Sequence, residues 1–151
     1  QISEQTENNQ IKNLKYKVKI NQFSQYIIEA NRSEITYENN VEIVNMHKVT
    51  AIFTDKKNIP LTIISDNAVY NNSNYNTNFS NNIQIQYLDN LIFSDKMTLD
   101  FNNNLIEIYE NVKYDGLQGT INADNIKIDL ITKEIEIYMN DDKDKVEVET
   151  K

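Results

Sequence analysis

The chain holds one histidine, His47, no cysteine, and 23 aspartates and glutamates against 15 lysines and arginines. That inventory decides which chemistries are open. A nucleophilic triad needs a base beside its hydroxyl, and a zinc centre needs several imidazole or thiolate ligands. One imidazole between Met46 and Lys48 builds neither, so His47 is expected as a surface or loop residue. Without cysteine there is no thiolate metal site, redox centre or thiol nucleophile. The carboxylates are regular rather than clustered. Asp100, Asp129, Glu107 and Glu136 take equivalent positions in repeated segments, the pattern of a solvated sheet face, whereas a glycosidase sets two carboxyls about 5–10 Å apart across a cleft. No enzymatic role, cofactor or metal is expected. Asp95 and Asp124 each follow a small residue, Ser94 and Ala123, and are read as turn-capping carboxylates that fix where a hairpin begins. Asp141, Asp142 and Asp144 alternate with lysines, the mark of a solvated end.

The net charge of −8 leaves no cationic excess for phosphates, which disfavours nucleic acid as the main partner. Lys15, Lys17 and Lys19 nevertheless concentrate positive charge near the N-terminus. They either protect an exposed edge strand or face anionic head groups. Two glycines, Gly116 and Gly119, are too few for a Rossmann fingerprint, a P-loop or glycine-rich calcium repeats.

The elements that must position any site are strands. Apolar residues recur with period two in LKYKVKI (14–20), NIQIQY (82–87), MTLDF (97–101), IKIDL (126–130) and EIEIYM (134–139). Tyr16, Val18 and Ile20 oppose the three lysines in the first of these. Turn signals at 38–40, 57–58, 71–74, 81–82, 89–90, 102–104, 115–116 and 141–142 separate short runs, which predicts hairpins and an all-β, antiparallel chain. The 25 asparagines and 22 isoleucines suit such a chain, since asparagine favours turns and isoleucine strands.

Residues 94–111, SDKMTLDFNNNLIEIYEN, align without a gap on 123–140, ADNIKIDLITKEIEIYMN, an offset of 29 with seven of eighteen positions identical. The same offset back reaches SDNAVYNNSNYNTNFSNN at Ser65, and a weaker copy begins near Ala30. Each unit is strand, turn, strand, turn. Such a hairpin cannot bury its apolar face alone, so the copies are expected to stack around a continuous apolar interior. On the alternation that interior is lined by Val18, Ile20, Ile28, Val41, Ile43, Phe53, Tyr70, Phe79, Ile85, Met97, Leu99, Phe101, Ile106, Ile108, Ile126, Ile128, Ile135 and Ile137. Where the sheet edges do not meet, it becomes an apolar groove in which each buried acyl methylene is worth about 0.8 kcal/mol. Val146 and Val148 are expected to add a last edge strand.

The unit of small residue, Asp, apolar alternation, Asp, turn, apolar alternation and Asn-Val resembles the OstA-like repeat of the lipopolysaccharide-transport proteins. The passages are 65–85, 94–114 and 123–138, with IIEANRSEITYENNVEIVNMHKVTAIF as a weaker first copy. Length, repeat number and polar lead-in look most like the LptC family, with the LptA bridge proteins as near neighbours. The resemblance implies an elongated, twisted β-jellyroll of about fifteen antiparallel strands. It further implies a missing N-terminal membrane anchor and a periplasmic domain of a single-pass inner-membrane protein. By that analogy residues 1–13 are a polar linker from the anchor, 14–140 the jellyroll, and 141–151 a charged tail or edge strand. Lipopolysaccharide, its lipid A acyl chains in the groove, would come from the inner-membrane ABC transporter, docked at the N-terminal edge (Tyr16, Val18). It would pass to LptA at the C-terminal edge (Ile135, Ile137, Val146, Val148). The rival expectations are an LptA-like bridge protomer, a docking domain without its own ligand, and a β-solenoid enzyme acting on polysaccharide. The family repeat often carries glycine before its Asp, where this chain has Ser65, Ser94 and Ala123.

Overall fold

The computed structural model describes residues 4–5, 10–117, 119–139 and 145–148. They form one antiparallel sheet of eleven strands: β1 (Glu4–Gln5), β2 (Gln10–Lys19), β3 (Gln25–Glu38), β4 (Val41–Thr54), β5 (Leu61–Asn71), β6 (Thr77–Tyr87), β7 (Asn90–Asp100), β8 (Leu105–Gly116), β9 (Gly119–Asp129), β10 (Ile135–Tyr138) and β11 (Lys145–Val148). Spatial order follows chain order throughout. The chain is all-β, as its alternation requires, and the sheet folds on itself as an elongated β-jellyroll.

The fold-over arises inside the strands. In β4 the buried residues are Val44 and Met46, then Val49, Ala51 and Phe53; in β7 they are Asn90, Ile92 and Ser94, then Met97 and Leu99. The switches lie on one row across the sheet, at Asn13, Asn31, Lys48, Asp66, Asp95 and Asp124; β6 and β8 cross the same row at Asn81 and Glu110 with their parity kept. On alternate strands the row is left-handed: Asn13 (φ 55°), Lys48 (φ 58°), Asn81 and Asn82 (φ 71° and 53°), Glu110 and Asn111 (φ 66° and 55°). β6 and β8 each carry one extra residue there relative to both neighbours. Such bulges bend and twist a ladder without ending it. The row is therefore a crease, and the two half-sheets it separates face each other.

The crease lays the 20–24 and 55–60 turns of the early strands over the 72–76, 101–104 and 130–134 turns of the later ones. Tyr16 packs on Tyr70 at 4.8 Å between ring centroids, Tyr26 on Phe101 at 5.0 Å, and Phe53 on Phe101 at 5.8 Å. Tyr26 Oη lies 2.9 Å from Thr77 Oγ1, whose own hydroxyl donates to the Tyr75 carbonyl at 3.1 Å, so the tyrosine is the donor. Burial raises the Tyr26 phenol far above its ordinary range. The interior is filled by side chains such as Ile28, Ile63, Leu99, Ile106 and Ile126, all fully buried. Each contributes roughly 1.5–3 kcal/mol by leaving water.

Several expectations are corrected. Among the described residues the strands number eleven, where the resemblance implied about fifteen; runs read as separate short strands are halves of continuous creased ones, NIQIQY in the second half of β6 and MTLDF at the end of β7. Asn81-Asn82 is accordingly a bulge and not a turn. Asp95 and Asp124 sit in mid-strand at the crease. Turns are capped instead by Asn71, Asp100 and Asp129, spaced 29 apart, whose Oδ1 atoms accept the backbone N–H groups two and three residues on. Asp100 and Asp129 are thus turn caps and not a plain solvated face. Ile43 and Val41 are half-buried on the face opposite Val44 and Met46, because the alternation extrapolated back from Phe53 crosses the crease at Lys48. β2 begins at Gln10, inside the segment read as a linker, and Ile11 packs against the core. His47 lies within β4, its Nε2 3.1 Å from Glu34 Oε1 and its Nδ1 3.1 Å from Asn67 Oδ1.

Candidate functional site

The two half-sheets meet along a seam, and among the described residues a cleft opens on it. A cleft of about 230 Å³ lies between the 20–24 and 55–56 turns on one side and the 101–104 and 130–131 turns on the other. Its apolar lining is Ile20, Phe23, Phe53, Phe101, Leu130 and Ile131; Asn21, Ser24, Asp55, Lys56 and Asn104 supply the polar rim. Phe23 and Ile131 are exposed by 60% and 72%, one on each side of the cleft. Local hydrogen bonding holds both out. Asn21 Oδ1 accepts the N–H of Phe23 and Ser24 at 2.9 and 3.0 Å, and Asp129 Oδ1 accepts that of Ile131 at 2.8 Å, so each apolar residue crowns a tight Asx turn.

Beside the cleft an ion pair ties its two walls. Lys133, buried and at φ 64°, places Nζ 2.7 Å from Asp55 Oδ2 and 2.5 Å from the Leu130 carbonyl oxygen. The ammonium also lies 5.3 Å from the centre of the Phe53 ring. Burial works to raise the Asp55 carboxyl, but the hydrogen bond from Lys133, the Lys57 backbone N–H and the charges of both lysines outweigh it and hold the group below the ordinary carboxylate range. The pair spans 78 residues of sequence. It fastens the turn after β4 to the turn after β9.

Most of the residues assigned to a groove form closed packing. Ile28, Phe53, Tyr70, Phe79, Ile85, Met97, Leu99, Ile106, Ile108, Ile126, Ile128, Ile135 and Ile137 are buried against one another. Val18, Ile20 and Phe101 are half-buried, Ile20 and Phe101 at the cleft itself. Lys15, Lys17 and Lys19 project outward from β2, on the face away from Tyr16 and Val18. The edges are largely open among the described residues. β1 covers β2 only at Ile11 and Lys12, leaving 14–19 as an edge, and β10 covers only Asn125–Ile128 of β9. β11 does form at Val146 and Val148, in register with Ile137 and Ile135. Asp141, Asp142 and Asp144 lie outside the described residues; among those described, no group of three His, Asp or Glu side chains is arranged to hold a metal. Phe23, Ile131, Asp55 and Lys133 are absent from the sequence-based site, and Leu130 enters it only as an inward residue of IKIDL. The only sequence signal for them is an apolar residue within otherwise polar turns, at NQFS and LITK.

No protein-family model matches the chain, and no curated protein matches it.

Proposed function

We propose that this domain carries lipopolysaccharide in the periplasm as an LptC-type transport protein, taking lipid A acyl chains between its half-sheets through the cleft at Phe23, Phe101 and Ile131. One observation supports the reading above others: two half-sheets face each other across a largely apolar interior, and the seam between them opens at a cleft walled by Ile20, Phe23, Phe53, Phe101, Leu130 and Ile131. The OstA-like repeat supports it as well, and the open edges of β2 and β9 suit docking by strand addition to the inner-membrane transporter on one side and an LptA bridge on the other. Acyl chains enter where the packing is open and part the half-sheets as they go. The reading needs no covalent chemistry.

Photocrosslinking amino acids at Phe23 and Phe101, and deeper at Phe79, Leu99 and Ile128, test it in cells making lipopolysaccharide. Adducts first at the mouth and then within are expected; none at any position overturns the carrier. A second reading is favoured by the closed packing of Leu99 and Ile106, both fully buried. In it the interior is core alone, and the domain is a docking platform or bridge protomer. It predicts strand-edge crosslinks to partners with no lipid adduct.

A further inference from the structure

We propose that the Lys133–Asp55 ion pair is an exchangeable latch on the cleft: an amphiphile with a single acyl chain and an anionic head binds by giving its anion to Lys133 in place of Asp55, while its chain slides past Phe53 and Phe101. The inference rests on the lipid reading above and names how that site opens and what head it prefers.

Three observations carry it. The pair is the tie between the cleft walls, joining the 55–60 turn to the 130–134 turn at 2.7 Å. Its ammonium is desolvated, with 7% of the side chain exposed, so Nζ must always have a counter-anion, whereas Asp55, 21% exposed at the rim, can swing into water. A ligand anion therefore replaces Asp55 without leaving a buried charge alone, and the Leu130 carbonyl keeps its bond throughout. Finally, Lys56 lines the cleft beside Asp55 and Lys57 follows it, so release of Asp55 leaves lysines facing the ligand anion on a chain of net charge −8. The apolar walls and the cation together select a chain that ends in an anion over one that ends in a neutral head. Asp55 and a ligand phosphate or carboxylate compete for the same proton-rich site, so binding and closure exclude each other.

The chain has no cysteine, which makes introduced thiols unique. Titration of dodecyl phosphate, dodecanoate and the neutral dodecyl maltoside, each below its micelle concentration, into the full chain and its variants tests the latch by calorimetry and by backbone amide spectra of Phe23 and Ile131. Wild type should prefer both anionic probes over the maltoside by about tenfold, and Asp55→Asn should tighten the anionic probes by a similar factor. Lys133→Met should erase the preference while the maltoside still binds, and Lys133→Arg should keep it, which guards against a merely unfolded Met variant. A preference for the phosphate alone identifies a phosphorylated head as the source of the anion; equal binding of both acids points to charge only. Asp55→Cys/Lys133→Cys joined by a short bismaleimide should bind none of the probes. Wild type and Asp55→Asn binding alike, with the preference surviving Lys133→Met, overturns the latch but leaves acyl binding standing. Absence of binding by every probe to every variant overturns both the latch and the lipid reading.

Discussion

Asn111 donates from Nδ2 to Asp95 Oδ2 at 2.6 Å across β7 and β8, and 29 residues earlier Asn82 makes the same bond to Asp66 at 2.6 Å. The repeat in the sequence is thus a repeat of crease joints. Both of these joints need a residue that tolerates φ near +55° and can also reach an aspartate on the preceding strand, and asparagine does both. Eight of the thirteen non-glycine residues with positive φ among those described are asparagine, which is how a chain with two glycines supplies its left-handed positions.

Replacing Asn111 therefore separates two costs. Asn111→Val should lose about 2 kcal/mol or more, from a β-branched side chain at positive φ and the broken bond. Asn111→Gly should lose under about 1 kcal/mol, because it relieves the backbone and forfeits only an exposed bond. Urea unfolding of both variants checks this; equal losses would show that backbone conformation plays no part.

The parity switch makes an opposite-sided pair of predictions. Leu99→Ala, in the fully buried interior, should cost about 2–5 kcal/mol, whereas Ile43→Ala, on the outer half-buried face, should cost under about 1.5 kcal/mol. A comparable loss at both sites, measured by thermal or denaturant melts, would place Ile43 in the core after all.

Acid should act through Asp55 and Asp100. Asp100 is held low first by the Asn103 side-chain amide, against the opposing effect of burial, then by the N–H groups of Asn103 and Asn102 and by Asn76. Both carboxyls are depressed in the folded state. Their stabilisation is complete above the unfolded value of about 3.9 and is lost as pH falls through their lower folded values. The denaturation midpoint of the wild type should fall below about pH 4, and Asp55→Asn should start lower and fall less steeply. Parallel curves for the two proteins would remove Asp55 from the acid response.

Gly116 is the subject of a steric prediction. A Cβ there would meet Tyr114 Oη at 2.5 Å, and Tyr114 is buried with its hydroxyl donated to Asn90 Oδ1. Gly116→Ala should cost about 1–3 kcal/mol by pushing the ring. Tyr114→Phe should cost about 1–3 kcal/mol by leaving the buried Asn90 oxygen unsatisfied. In the double variant the losses should fall short of additive, since the closest clash is with the deleted hydroxyl and only the ring carbons at 2.8 Å remain; strict additivity in a double-mutant cycle would refute the contact.

Much of the architecture is legible from residue order alone because half-buried strands write their alternation directly: Ile83/Ile85/Tyr87 and Ile126/Ile128/Leu130 are inward as the pattern requires. What alternation conceals is its own interruption. At Asn81-Asn82 the polar pair that breaks the period reads equally as a turn or a bulge, and only the hydrogen-bonded partners, Ser80 with Lys96 and Ile83 with Ser94, distinguish them. The cleft is less legible still. Lys133 and Asp55 sit in separate turns with no shared local pattern, and nothing but the folding of the crease brings them to 2.7 Å.

Because each strand pairs only with its sequence neighbours, the ladder can form hairpin by hairpin as the chain emerges, with little loop entropy to overcome at any step. Among the described residues the side-chain hydrogen bonds of longest span join Tyr26 to Thr77 over 51 residues and Lys133 to Asp55 over 78. Assembly should therefore be vectorial, with an early, extended ribbon of hairpins that creases last, and the ion pair at the seam should report the final step of folding and the first of unfolding.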